Sequence, residues 1–109
     1  MLVVNIRSGL PHDVYVGRPT EWGNPYSHLP DKALFQVATR EQAISEYRSL
    51  LKRRINQDEG GVLIRKLAKL HGKTLACWCA PLPCHADVLE QAAAWADVVT
   101  RKAEWAKGQ

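Results

Sequence analysis

The chain has 109 residues, of which 46% are hydrophobic and 24% charged, with a formal net charge of +4. This length suits one ordinary domain around a single core, and the composition excludes wholesale disorder. No stretch approaches the ~18 apolar residues of a membrane-spanning helix, and Met1–Arg7 lacks the basic-then-apolar build of a secretory signal, so a cytoplasmic protein is expected.

Residues 2–6 are a compact β-branched run and 14–16 a second one after the Gly9-Leu10-Pro11 break. Both read as strands, either antiparallel partners or neighbours in one sheet. From Gly17 to about Ala38, Gly17, Pro19, Gly23, Asn24, Pro25 and Pro30 interrupt the chain too often for a long element, which predicts a structured loop. Over residues 39–56, Ala43, Ile44, Tyr47, Leu50, Leu51 and Ile55 recur at helical spacing, and Thr39 with Gln42 forms a capping-box pair.

Gly60 and Gly61 reset the chain before a shorter helix through Leu67 and Leu70 that Gly72 ends. Residues 73–79 then read as a buried strand. Helical spacing returns after Pro83 in Val88, Leu89, Ala92, Ala93, Ala96 and Val99, with Trp95 beside them. Beyond residue 100 a charged tail, 101–109, is either a frayed helix end or a docking segment. Strand, loop, helices, strand, helix is an α/β order, so the expected fold is a small Rossmann-like, mainly parallel sheet flanked by helices in a single domain, 1–100. Ligands of such sheets gather at the C-terminal ends of the strands.

Charge is unevenly spread: between Arg48 and Lys73, eight Lys or Arg stand against Asp58 and Glu59. The residues Arg48, Lys52, Arg53, Arg54, Arg65, Lys66 and Lys69 form either a solvated helix face or a basic surface for nucleic acid or protein.

Cys77, Cys79, Cys84 and His85 fall where the 73–79 strand turns into the last helix. Residues two apart on a strand share a face, so Cys77 and Cys79 present both sulfurs to one space while Trp78 points away. The stiff turn Ala80-Pro81-Leu82-Pro83 brings Cys84 and His85 to a helix start, where unpaired N–H groups favour a thiolate.

Three chemistries compete for these residues. Cys84 with His85 acts as a nucleophilic or redox centre; the four residues ligate zinc, against which the spacing speaks; or the cysteines are small buried hydrophobes. No metal or other cofactor is required by the first reading. The odd number of cysteines, all within eight positions, excludes a framework of long-range disulfides.

With these residues in view, the chain resembles the bacterial and phage family described as domain of unknown function 4326. The resemblance rests on Val14-Tyr15-Val16-Gly17-Arg18-Pro19 running into Trp22-Gly23-Asn24-Pro25-Tyr26, on Gly72-Lys73 with Leu75-Ala76-Cys77-Trp78-Cys79-Ala80-Pro81, and on Cys84-His85 with Asp87-Val88-Leu89. It covers most of residues 14–96. The Cys-turn-Cys-His segment is also similar to domain of unknown function 488, which is Rossmann-like. These resemblances imply an α/β fold and no particular reaction.

Arg18 leaves a strand and can clamp a phosphate or carboxylate, or else orders its loop. Trp22 and Asn24 can face a base, or else plug the core and shape the turn before Pro25. If this loop meets the Cys-rich turn, then Arg18, Trp22, Asn24, Cys77 and Cys79 would line a site with Cys84 and His85 as its reactive pair. The helix N–H groups would add to it, and an anionic aromatic ligand such as a nucleotide would suit it. His12, His28 and His71 read as surface or capping residues. The expected function is therefore a nucleotide- or nucleic-acid-related enzyme or ligand binder, with a metal-stabilised or plain α/β binding module as the alternative.

Overall fold

The computed structural model describes residues 2–18, 20–29, 34–80 and 82–107. The prolines read as turn-makers at 19, 30 and 81 lie outside the described residues, as do the last two residues of the tail. Its elements are β1 (Leu2–Asn5), β2 (Val14–Tyr15), β3 (Tyr26–Ser27), β4 (Phe35–Gln36), α1 (Arg40–Asn56), α2 (Val62–Leu70), β5 (Thr74–Cys77) and α3 (His85–Lys107). Every strand pairing among the described residues is parallel: one sheet in the order β1-β5-β2 and a separate two-stranded pairing of β3 with β4. The α/β class and the parallel sheet follow the sequence reading, with the β3–β4 bridge set inside what reads as loop.

The first two strands are not partners. The most apolar strand, β5, takes the centre, where both of its edges are paired and Leu75 and Ala76 are fully buried. Leu2 to Asn5 register against Thr74 to Cys77 on one side, and Val14 and Tyr15 against Leu75 and Ala76 on the other. The Asp13 carboxylate accepts the Thr74 N–H at 2.8 Å, and the Val16 N–H reaches the Ala76 carbonyl at 3.0 Å. The short β2 is thereby anchored at both ends.

Helix α1 buries Ala43, Tyr47 and Leu51, one turn apart on a single stripe. Thr39 Oγ1 accepts the Gln42 N–H at 3.0 Å, while Gln42 Oε1 reaches back to the Ala38 N–H, also at 3.0 Å. The expected capping box therefore forms with its return bond one residue upstream. Thr39→Ala should lower the unfolding free energy by about 1 kcal/mol, read as a shifted urea midpoint at unchanged slope.

Helix α2 ends before Gly72, whose φ of +80° suits glycine. Leu67 and Leu70 of α2 pack with Leu89, Ala93 and Ala96 of α3, whose alanines allow close helix approach. The third helix does not fray after residue 100. It continues to Lys107 with residues 101–106 exposed, including Trp105 at 70%. No helix among the described residues is long and apolar enough to cross a membrane.

Candidate functional site

A cleft of about 660 Å³ opens at the C-terminal ends of the three parallel strands. Arg7 follows β1, Tyr15, Gly17 and Arg18 follow or end β2, and Trp78 and Cys79 follow β5; all line this cleft. Asn5, the last residue of β1, braces the turn after β5 by donating from Nδ2 to the carbonyls of Trp78 and Ala80, both at 3.0 Å. The loop from Arg18 to Pro25 does meet the Cys-rich turn: Arg18 and Asn24 share the cleft wall with Cys79, Cys84 and His85.

Two of the expected lining residues are elsewhere. Trp22 is 7% exposed and sits in the core, its carbonyl accepting the Tyr47 hydroxyl at 2.7 Å. Cys77 is 1% exposed and lies beneath the wall. Asn24 lines the cleft, but its side chain is already committed: Nδ2 donates to the Ala43 carbonyl at 3.1 Å and Oδ1 accepts the Tyr26 N–H at 2.9 Å. Arg18 donates from one guanidinium nitrogen to the Asn24 carbonyl at 3.0 Å, and its stem crosses Gly23, where a Cβ would stand 2.9 Å from Arg18 Cγ.

Helix α3 begins with a capping box built on sulfur. The Ala86 N–H donates to Cys84 Sγ at 3.4 Å, and Asp87 Oδ2 accepts the Cys84 N–H at 2.9 Å. The N–H groups of Cys84 and Ala86, expected to face an anion, are thus engaged by the chain itself.

His85 is buried, with its edge toward Tyr47 at 5.0 Å between ring centroids. Its Nε2 lies 2.7 Å from the Val16 carbonyl, which can only accept, so Nε2 carries the proton and the Nδ1 lone pair faces Cys84 Sγ at 3.4 Å. Burial holds its pKa below the ordinary value, aided by the nearby Arg18, so the ring is neutral at pH 7.

The three free thiols neighbour one another, and the Cys84 thiol lowers the pKa of both Cys77 and Cys79. Cys79 is lowered furthest: the Cys84 thiol, then Arg40, bring its pKa down to about 6 against the cost of partial burial. Cys84 moves the other way, because it donates to its neighbours and is itself buried. The thiol that ionises most readily is therefore Cys79, two positions past the end of β5, and not Cys84 at the helix start as expected. Among the described residues, no group of three or more His, Cys, Asp or Glu is disposed to hold a metal ion.

Sequence reasoning missed Arg7, Tyr15, His28, Arg40 and Trp78 as lining residues. Arg7, Tyr15 and Trp78 had a usable signal, because each lies within two residues of the C-terminal end of a strand in the parallel sheet. Arg40 and His28 had none, since a helix-start arginine and a loop histidine are ordinary surface residues. Trp78 is 54% exposed, stacks under the Arg7 guanidinium at 5.0 Å, and donates from Nε1 to the Tyr15 hydroxyl at 2.7 Å. The basic residues expected to make a rival surface divide between α1 and α2 or their ends; Lys66 pairs with Glu21 at 3.2 Å and Arg65 donates to the Gly60 carbonyl at 2.7 Å.

Comparison with known proteins adds a family and one relative. The family model described as domain of unknown function (DUF4326) matches residues 5–95. The uncharacterized 12.4 kDa protein in the nrdA-td intergenic region of Enterobacteria phage T4 is 34% identical over 77 residues, which is 71% of this chain and 63% of that protein. The match thus spans less than two thirds of that relative's length. No solved structure matches the chain.

Proposed function

The chain belongs to the DUF4326 family, whose description assigns no reaction, and from the cleft itself we propose that it binds a phosphate-bearing, nucleotide-like ligand and presents a thiol centre to it. One observation carries this reading: three arginines, Arg7, Arg18 and Arg40, line the cleft, and none of its described lining residues is Asp or Glu. Such a wall attracts anions, and arginine's planar fork matches phosphate. Tyr15, Tyr26 and Trp78 add aromatic surface for a base, and the cleft volume lies in the range that encloses a small organic ligand.

On this reading Arg18 is the anion clamp, Cys79 is the sulfur that meets the ligand, and Cys84 with His85 stores and moves its proton. The imidazole Nδ1 is placed to take the Cys84 proton if the negative charge on Cys79 is consumed.

Calorimetric titration with a nucleoside, inorganic phosphate and the corresponding nucleoside monophosphate separates the contributions. The monophosphate should bind more tightly than either part, and Arg18→Ala should weaken it about 10- to 100-fold, the value of a charge-assisted hydrogen bond. Equal affinity of wild type and Arg18→Ala, or no saturable binding at low salt, would overturn the proposal.

A further inference from the structure

We propose that Cys79 is a hydroperoxide-reactive thiol and Cys84 its resolving partner, so that oxidation closes a Cys79–Cys84 disulfide across the cleft floor. The inference concerns the thiol cluster alone and stands whether or not a nucleotide binds.

The placement of the two sulfurs carries it. Cys79 is half-buried and opens to the cleft, so a small oxidant can reach it, whereas Cys77 is sealed in the core. Cys79 shares the cleft wall with Cys84 and with Arg40, whose charge acts on its thiol. The Leu82 N–H donates to the Cys79 carbonyl at 2.8 Å, a turn that folds the segment back and brings its two ends together. Cys84 is pinned by its N-cap bonds on the same cleft wall as Cys79, five positions along the chain from it. A cationic neighbour, access from solvent and an adjacent second thiol are the features that separate redox-active cysteines from inert buried ones.

The electrons balance with a hydroperoxide as the oxidant. The Cys79 thiolate attacks one peroxide oxygen; an S–O bond forms, the O–O bond breaks, and the departing oxygen leaves as hydroxide, or as alkoxide from an organic peroxide, taking a proton from solvent. Cys84 then yields its proton to His85 Nδ1, 3.4 Å away, and attacks the Cys79 sulfur. The S–S bond forms as S–O breaks, and the leaving hydroxide takes the proton from His85. Two thiols lose two electrons in total, and the peroxide gains them.

Closing this bond would also change the cleft. The thiolate that Arg40 faces disappears, so the wall gains a net positive charge and an unengaged guanidinium. Oxidation thereby favours anions in the same space.

The test uses the full reduced chain treated with hydrogen peroxide at pH 7, followed by alkylation, intact mass, and peptides cut after Trp78 and, with a prolyl endopeptidase, after Pro83, which separate the three cysteines. The expected product has lost two hydrogens, links Cys79 to Cys84, and leaves only Cys77 to alkylate. Cys84→Ser keeps an oxygen to accept the Ala86 N–H, so it should fold and stop at a dimedone-reactive sulfenic acid on Cys79. Cys79→Ser should slow thiol loss about three- to sixfold, the advantage of a thiolate present at pH 7 after allowing for its lower intrinsic nucleophilicity. Linkage through Cys77, an unchanged rate in Cys79→Ser, or thiols that stay reduced while a free cysteine peptide is oxidised would each overturn it.

Discussion

Trp22→Ala should lower the unfolding free energy by about 3–5 kcal/mol, the cost of emptying a large aromatic site in a core. The ring is buried among the residues that join the 18–25 loop to α1, and its backbone carbonyl holds the Tyr47 hydroxyl. Trp78→Ala supplies the contrast. That ring is more than half exposed and engaged only through Arg7 and Tyr15, so its loss should cost less than about 1 kcal/mol. Urea unfolding of the two variants side by side decides the matter. If Trp22→Ala were as stable as wild type yet lost ligand, the residue would be a binding platform after all.

His85→Ala should cost about 3 kcal/mol, because it opens a cavity and leaves the Val16 carbonyl without its donor in the interior. The same histidine makes stability depend on pH in a defined direction. Burial depresses its pKa in the folded chain below the unfolded value of 6.5. Above that pH the ring is neutral in both states and its contribution is complete. As pH falls below 6.5 the unfolded chain takes up a proton that the folded chain resists, so stability declines, with a limiting slope of about 1.4 kcal/mol per pH unit.

Cys79 acts in the same direction over a higher range. Its folded pKa is lowered from 9.0 to about 6, so its contribution is complete above 9 and is lost as pH falls through 6. Urea midpoints of wild type and His85→Gln between pH 7.5 and 5 isolate the imidazole. The variant should show the shallower decline below 6.5, and parallel curves would mean that His85 titrates normally.

The parts of the fold that were legible in the sequence are those written by spacing. The stripe Ala43-Tyr47-Leu51, the Thr39 cap, Gly72 and the apolar run into Cys77 each specify local geometry, and each appears where the pattern puts it. Which strand takes the centre was less legible, because Val14 and Tyr15 owe their place to backbone bonds with β5 that no local pattern announces. The same limit governed the site. Cys79, Cys84, His85 and Arg18 were found by residue type, but the choice between exposed Trp78 and buried Trp22 depends on packing against Tyr47, twenty-five positions away. That the Cys79 thiol is lowered further than that of Cys77 depends on Arg40, which only the folded chain brings near.

The first turn of α3 depends on the weak acceptor at its N-cap, Cys84 Sγ, in a position where Ser, Asp or Asn would hold the Ala86 N–H more firmly. Capping strength alone would not select sulfur there. On the proposed function, position 84 gives up helix stability to keep a polarisable, proton-yielding atom against His85, a stability–activity trade-off. It is localised to one atom, and an oxygen in its place should leave a sturdier helix and a quieter cleft.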